Sequence, residues 1–142
     1  MAPIERTATG EWQGDLRSGN GTISGPSGVL QGAPFTFATR FENAKGTNPE
    51  ELIAAAHAAC YSMAFSNYLS KQGHVPESID TQATITLDNG KINKMHLVTR
   101  GRVPGVDEEA FKRLADEAEK QCPVSNLLRP GLEISLDASL ES

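Results

Sequence analysis

The chain has 142 residues, of which 38% are apolar and 22% charged, and its net charge is -5. This length and balance are typical of one folded domain, residues 1–142, and exclude a disordered chain. The acidic balance, with no basic stripe, argues against nucleic-acid binding. The first twelve residues lack the apolar core of a signal peptide, and no stretch approaches the roughly 20 apolar residues of a membrane span. We therefore expect a cytosolic protein that does not enter a membrane.

The first third of the chain is rich in Gly, Ser and Thr, with turn sequences at residues 18–21 and 25–28. Strand candidates lie around these turns at residues 4–14, 21–24 and 33–42. Short strands separated by such turns predict a small antiparallel meander.

A long helix is predicted next. Thr47 or Asn48 can cap its N-terminus, and the Pro-Glu-Glu that follows places a proline and two acids in the first turn. An Ala-rich run continues the helix to about residue 70, and Gly73 ends it. Small or apolar residues lie nearly all round the helix between positions 52 and 65. We therefore expect it to be buried on most sides and to run through the centre of the fold.

A hairpin and a second helix follow. Residues 81–87 alternate between apolar and polar side chains, and residues 95–103 suit a partner strand beyond the Asp-Asn-Gly turn at 88–90. The second helix is predicted from residue 107 because apolar residues recur there at helical spacing: Phe111, Leu114, Ala115 and Ala118. Cys122 continues that face, so its sulfur should point inward.

Pro123 ends the second helix and suits the start of a short one over residues 124–128. Every second residue is apolar over residues 132–140, which predicts a final strand. The order strands, helix, strands, helix, strand indicates an α+β domain with helices packed on antiparallel sheet.

Cys60 lies in the most apolar part of the long helix. An inert buried cysteine is the common outcome there, because burial raises the pKa of a thiol and suppresses its reactivity. It would act as a nucleophile only with a cation nearby. His57 shares its helix face and could form a Cys–His nucleophile pair, although a packed core histidine fits the sequence equally well.

Three further residues could be catalytic, but each also fits a purely structural role. Cys122 precedes the start of a short helix, whose unpaired N–H groups would stabilise a thiolate, or it simply fills space there. Arg40 ends a strand candidate and fits an exposed edge, and Glu50 is explained by the helix dipole. Two cysteines cannot make a four-cysteine zinc site, and further ligands near His57 are not obvious, so we expect no metal or cofactor.

Two motifs together are more specific than any of these residues alone. The segments 39–42 (TRFE) and 45–60 (KGTNPEELIAAAHAAC), followed later by 122–125 (CPVS), resemble the osmotically inducible protein C (OsmC) family, a sister of the organic hydroperoxide resistance proteins. The resemblance covers nearly the whole chain. It implies an intertwined homodimer around the long helix, with active sites at the subunit interface. It also implies a thiol peroxidase that prefers organic peroxides and serves in oxidative and osmotic stress.

The resemblance further implies a role for each motif residue. Cys60 would attack the peroxide and become a sulfenic acid, and Cys122 would resolve it as a Cys60–Cys122 disulfide. Arg40 would stabilise the thiolate and the leaving oxygen, while Glu50 would hold the guanidinium. An external dithiol, on family resemblance a dihydrolipoyl group, would reduce the disulfide.

The spacing of Glu50 and Cys60 predicts how they meet. Ten residues of helix separate them by about 15 Å along the axis, which neither side chain can span. No proline or glycine lies between them to break the helix. We therefore expect Glu50, with Arg40, to reach the Cys60 of the dimer partner.

Two other function classes stay open from the residues themselves. A cysteine hydrolase would use Cys60 with His57, and Cys122 would be dispensable. A non-catalytic binding or stress-scaffold protein would leave both cysteines inert. Only a peroxidase would lose both thiols to an alkyl hydroperoxide and regain them with a dithiol. For such a substrate we expect an apolar pocket lined by Phe35, Phe37, Met63, Leu127 and Leu128.

Overall fold

The computed structural model describes residues 2–141. It comprises two compact units, one that ends at Leu52 and one that begins at Ile53. The expected single domain over residues 1–142 stays a prediction. Among the helices of residues 2–141, none is long and apolar enough to cross a membrane.

The first unit contains the predicted antiparallel meander. Its strands are β1 (Thr9–Gln13), β2 (Asn20–Ser24) and β3 (Ala33–Phe35), in the order β1-β2-β3. Gly21 lies where β2 passes against the ring of Phe35, and a Cβ at this position would come within 2.6 Å of that ring. The absence of a side chain there lets the aromatic ring cover the strand.

The strand predicted over residues 33–42 is wrong in its second half, because the chain turns into a short helix, α1 (Phe37–Phe41). Thr36 starts this helix with a capping box. Its hydroxyl accepts from the N–H of Thr39 at 3.2 Å, and the Thr39 hydroxyl accepts from the N–H of Thr36 at 2.8 Å. Arg40 therefore lies on a helix and not at the end of a strand.

The long helix is confirmed as α2 (Pro49–Lys71). Asn48 caps it, since its Oδ1 accepts from the N–H of Glu51 at 2.7 Å. Gly73 follows the helix with a φ of 89°, a conformation that favours glycine after a helix end. Both ends of the helix therefore follow from local sequence.

The burial expected for α2 on most sides is not confirmed within one chain. Its fully buried residues recur every fourth position and form one stripe: His57, Tyr61, Phe65 and Leu69. Apolar side chains on the other side are exposed, namely Ala55, Ala56, Ala59 and Met63, the last of which is 74% exposed. An apolar pattern all round a helix indicates that it can be covered on every side, but not that its own chain supplies the cover.

The second unit contains the predicted hairpin, β4 (Ser78–Asp88) and β5 (Lys91–Arg102). Asn89 and Gly90 join the strands with positive φ angles of 50° and 76°, the conformation that favours Asn-Gly in a two-residue hairpin turn. The final strand, β6 (Glu133–Leu140), pairs with β5.

The pairing of β6 with β5 is parallel, whereas we expected an antiparallel sheet. Two helices, α3 (Glu108–Glu119) and α4 (Pro123–Leu128), occupy the connection between these strands. A connection of this length carries the chain back to the start of its neighbour, and this produces a parallel pair. The sheet β4-β5-β6 is therefore mixed, while the α+β class is confirmed.

The core of the second unit forms between α2, α3 and the sheet. The four residues predicted to face inward from α3 are buried: Phe111, Leu114, Ala115 and Ala118. The Tyr61 hydroxyl donates to the carbonyl of Ala115 at 2.8 Å, and the rings of Phe65 and Phe111 lie 5.0 Å apart. These contacts fix α2 against α3 beside the position of Cys122 in the same core.

Candidate active site

The two cysteines meet in the second unit. Cys60 is half-buried on α2, and Cys122 is fully buried at the N-cap of α4, so its inward position is confirmed. Both are free thiols, Cys60 packs against the apolar core that contains Cys122, and the charge of Cys122 acts on the Cys60 thiol. The two side chains are therefore neighbours in one core, as formation of a disulfide between them requires.

The surroundings of Cys60 do not activate it within this unit. Burial raises the pKa of the Cys60 thiol, and the hydrogen bond and charge of Cys122 raise it further, while the backbone N–H of Val124 opposes them by donating to the sulfur. None of these main effects on the pKa of Cys60 comes from a cation. A nucleophilic Cys60 would therefore need a cation from elsewhere.

The N–H groups at the start of α4 act on Cys60. The sequence left two interpretations of Cys122 open, a thiolate stabilised by these groups or a residue that fills space, and its side chain makes no capping hydrogen bond. The backbone N–H of Val124 instead lowers the pKa of Cys60, which lies on α2. The position of α4 thus determines two polar contacts of Cys60, one with Val124 and one with Cys122.

Arg40 and Glu50 form an ion pair in the first unit. Arg40 Nε donates to Glu50 Oε1 at 3.1 Å, and Nη2 donates to Oε2 at 2.8 Å. The Glu50 hydrogen bonds raise the pKa of the guanidinium, and Glu50 itself is buried. The amide of Asn48 donates to the carbonyl of Thr39 at 2.9 Å, which ties the start of α2 to α1. The bidentate geometry holds the guanidinium in one orientation, and its catalytic role stays a prediction.

An apolar cavity of about 290 Å³ lies beside Arg40. Four of the eight residues that line it are aromatic: Trp12, Phe35, Phe37 and Phe41. The guanidinium carbon of Arg40 lies 5.3 Å from the centre of the Phe41 ring. The cavity therefore combines an apolar wall with one oriented cation, a combination suited to a small apolar molecule with a polar end.

The five residues predicted to line one pocket belong to both units. Phe35 and Phe37 line the cavity beside Arg40 in the first unit. Within the second unit, Leu127 and Leu128 line one apolar cavity and Met63 lines another. The prediction is therefore wrong for the residues of the second unit, because it grouped them by their distance along the chain from the motif residues.

His57 makes a buried hydrogen bond that the sequence did not indicate. Its Nε2 lies 2.7 Å from the hydroxyl of Ser125, and both residues are fully buried. Burial lowers the pKa of His57, an effect that the charge of Arg129 reinforces and that of Glu119 opposes. The imidazole is therefore neutral and binds Ser125, and among residues 2–141 it forms no hydrogen bond with Cys60. The one available signal was a serine in the first turn of an apolar short helix.

A second unanticipated contact holds the other end of α4. Arg129 Nη1 donates to Glu119 Oε1 at 3.1 Å, and Nη2 donates to Oε2 at 2.6 Å, so the end of α4 is tied to the end of α3. Asn126 accepts a further bond from the same guanidinium at 3.2 Å. Among residues 2–141, no group of three or more His, Cys, Asp or Glu side chains is arranged to hold a metal ion.

Comparison with known proteins identifies relatives over the whole chain. A family model described as OsmC-like protein matches residues 42–137. Peroxiredoxin OsmC of Escherichia coli (strain K12) is 47% identical over 143 residues, which cover 98% of this chain and 99% of that protein. The organic hydroperoxide resistance protein of Xanthomonas axonopodis pv. citri (strain 306) is 35% identical over 96 residues, 64% of this chain and 66% of that protein.

Solved structures share the fold. The organic hydroperoxide resistance protein OhrB of Bacillus subtilis matches with a TM-score of 0.67 and 28% identity, over 94% of this chain and 98% of that one. An OsmC-like protein from Mycoplasma pneumoniae matches with a TM-score of 0.76 and 17% identity, over 99% of this chain and 100% of that one. The second likeness concerns the fold alone.

Proposed function

Because this chain belongs to the OsmC-like protein family, we propose that it is a cysteine-based peroxidase that reduces organic hydroperoxides to alcohols in defence against oxidative and osmotic stress. The names of two relatives, a peroxiredoxin and an organic hydroperoxide resistance protein, support this reaction and substrate class. The proximity of Cys60 and Cys122, which pack in one core, is the structural observation that supports the proposal.

The proposed reaction uses the two thiols in turn. The Cys60 thiolate attacks the terminal oxygen of the hydroperoxide, the O–O bond breaks, and the alkoxide leaves and takes up a proton to become the alcohol. The Cys122 sulfur then attacks the sulfenic sulfur, and the hydroxyl leaves as water with the proton of Cys122. One peroxide and two thiols thus give one alcohol, one water and one disulfide.

A dithiol returns the disulfide to two thiols by exchange. Cys60 is half-buried and Cys122 fully buried, so the incoming thiolate would reach the sulfur of Cys60 first. Cys122 would then be the leaving thiol, already in its reduced position. We propose a dihydrolipoyl group as the donor, in keeping with the resemblance of the sequence.

The raised pKa of Cys60 is a reason to propose a homodimer. The largest effects on this pKa come from burial, Val124 and Cys122, and none of these is a cation. Arg40, in contrast, is oriented by Glu50 and is still 36% exposed. Helix α2 is unbroken from Pro49 to Lys71, so Glu50 and Cys60 stand ten positions apart on one continuous helix. We therefore propose that Arg40 and Glu50 act on the Cys60 of a second copy of the chain.

The exposed apolar side of α2 supports the same assembly. Ala55, Ala59 and Met63 leave this side uncovered within one chain. Exposed apolar surface of this kind is a common feature of protein interfaces. A second copy of the chain that covers it would give α2 the central position that the sequence predicted.

Thiol counting with substrate tests the proposal. Reduced protein mixed with cumene hydroperoxide should lose both free thiols together and regain both after addition of dihydrolipoamide. Hydrogen peroxide should react more slowly under the same conditions. Loss of the Cys60 thiol alone, or retention of both thiols, would contradict the proposed peroxidase cycle. Turnover of an ester or thioester that depends on Cys60 but not on Cys122 would favour a hydrolase instead.

A further inference from the structure

Helix α4 positions the groups that meet Cys60 in the second unit. Cys122 occupies its N-cap, and Val124 presents its N–H to the Cys60 sulfur from the first turn. A shift of this six-residue helix along α2 would separate both groups from Cys60 at once. The contacts that hold α4 against α2 therefore determine whether a sulfenic acid on Cys60 meets its resolving thiol.

The His57–Ser125 hydrogen bond joins these two helices directly. His57 lies three residues before Cys60 on α2, and Ser125 lies three residues after Cys122 on α4. Residues three apart share a helix face. The 57–125 and 60–122 contacts are thus neighbouring links between the same two segments, which run antiparallel to each other.

Burial makes this link costly to break. His57 and Ser125 are both fully buried, and their side chains lie 2.7 Å apart. Within residues 2–141, Nδ1 of His57 has no hydrogen-bond partner, so Nε2 carries the hydrogen bond of this ring. Displacement of α4 would leave a buried imidazole and a buried hydroxyl without partners. The remaining polar link of α4 seen above, between Arg129 and Glu119, leads to α3 and not to α2.

We propose that His57 and Ser125 are positioning residues for the resolving step, and that their hydrogen bond holds α4 where the Cys122 sulfur stays against Cys60. The inference rests on the proposed peroxidase function and deepens it. In that step the S–S bond forms, the S–O bond of the sulfenic acid breaks, and the hydroxyl leaves as water with the proton of Cys122. Where α4 is displaced, the sulfenic acid persists, and a second peroxide oxidises it to the sulfinic acid.

The first test is Ser125→Ala, which removes the hydroxyl and changes little else in volume. Rapid quenching followed by mass spectrometry separates the sulfenic acid, the disulfide and the sulfinic acid of Cys60. Disulfide formation should slow by about tenfold, the scale expected for loss of one buried hydrogen bond, while sulfenic-acid formation changes less. At high peroxide the variant should accumulate sulfinic acid that the wild-type protein avoids.

Thr99→Val is the matched control. Thr99 is fully buried, and its hydroxyl lies 3.0 Å from that of Thr81 on the neighbouring strand, which also accepts from the hydroxyl of Ser62 on α2. This variant also loses a buried hydroxyl bond, and it should lose stability without slower disulfide formation. A general loss of stability would affect both variants, whereas a positioning role affects only Ser125→Ala.

Two substitutions at His57 test whether the hydrogen bond made at the position of Nε2 is what holds α4. The amide nitrogen of glutamine can replace Nε2 of the histidine, whereas that of asparagine can replace only Nδ1. His57→Gln should therefore keep most of the rate of disulfide formation, and His57→Asn should lose about as much as Ser125→Ala. Asparagine is one methylene shorter than glutamine, so loss of core packing alone should lower the stability of His57→Asn further, whereas a positioning role should slow its disulfide formation relative to sulfenic-acid formation.

The proposal is overturned if Ser125→Ala forms the disulfide as fast as Thr99→Val, or if both oxidation steps slow equally. It is also overturned if His57→Gln and His57→Asn behave alike. If Ser125→Ala does not fold, the His57 pair decides the question. A wild-type protein that forms no disulfide with any organic hydroperoxide would contradict the proposed function itself, which is a separate result.

Discussion

Replacement of Glu50 by glutamine should impair the oxidation of Cys60. The carboxylate accepts from Arg40 Nε at 3.1 Å and from Nη2 at 2.8 Å, and it is buried. Glutamine keeps one acceptor, loses the negative charge and no longer fixes both guanidinium nitrogens. The arginine that we propose as the cation for the attacking thiolate would then be free to leave its orientation.

The size of the effect follows from these contacts. A hydrogen bond between charged groups contributes about 1.5–3 kcal/mol. The Arg40 side chain is 36% exposed, so solvent screening reduces the value toward the lower end. A loss of about 1.4 kcal/mol in the transition state corresponds to roughly a tenfold fall in kcat/KM for the organic hydroperoxide.

Glu51→Gln provides the control for this prediction. Glu51 occupies the same first turn of α2, but it is exposed and accepts from the Thr47 hydroxyl at 2.6 Å instead of from Arg40. The second-order rate constant for oxidation of Cys60 by cumene hydroperoxide, measured by rapid quenching, should barely change in this variant. Equal rates for Glu50→Gln and Glu51→Gln would refute the role proposed for the ion pair.

Three further outcomes follow from the site. Cys60→Ser should abolish peroxide reduction, whereas Cys122→Ser should allow one oxidation per site and then stall, as thiol and peroxide titration will show. In Arg40→Met the pKa of Cys60 should stay raised by burial. Because only the thiolate reacts, the rate of Cys60 oxidation should keep increasing with pH above neutrality, and a rate independent of pH would contradict this. Phe37→Ala should raise KM for cumene hydroperoxide without affecting hydrogen peroxide, because it removes an apolar wall of the cavity beside Arg40.

Features that depend on neighbouring residues in the chain were predictable. The Asn-Gly turn between β4 and β5, the Asn48 cap of α2 and the buried face of α3 each follow from a few consecutive residues. The α1 helix was missed for a local reason as well. Its capping box uses a threonine at the position where glutamate is usual, and the alternating phenylalanines resembled a strand.

Features that depend on distant contacts were not predictable in the same way. The parallel pairing of β6 with β5 depends on where α3 and α4 bring the chain back to the sheet. The spacing of apolar residues along the sequence does not indicate this. The effect of the Val124 N–H on Cys60 was not predicted either, because it depends on how α4 lies relative to Cys60 on α2. The hydrogen bond of His57 could not be predicted either, because its partner Ser125 is 68 positions away in the sequence. The motif resemblance indicated which residues matter, whereas their contacts required the fold.

The most discriminating prediction concerns the subunit that supplies Arg40 and Glu50. One chain carries Cys60→Ser, and a second carries Arg40→Met with Glu50→Ala, so each homodimer lacks an essential part. If the pair acts across the interface, a mixed dimer contains one complete site, with Cys60 from the second chain and the ion pair from the first. If the pair acts within one chain, both sites of the mixed dimer are defective.

The expected recovery can be stated in advance. Random exchange of equal amounts makes about half of the dimers mixed, each with one complete site of two, which gives roughly one quarter of wild-type activity. The control replaces the first chain with one that carries all three substitutions, so that no intact ion pair is present and no activity should return. Recovery equal to that control, in a mixture shown by native mass spectrometry to contain mixed dimers, would contradict the cross-subunit site. The cation for Cys60 would then have to come from within one chain.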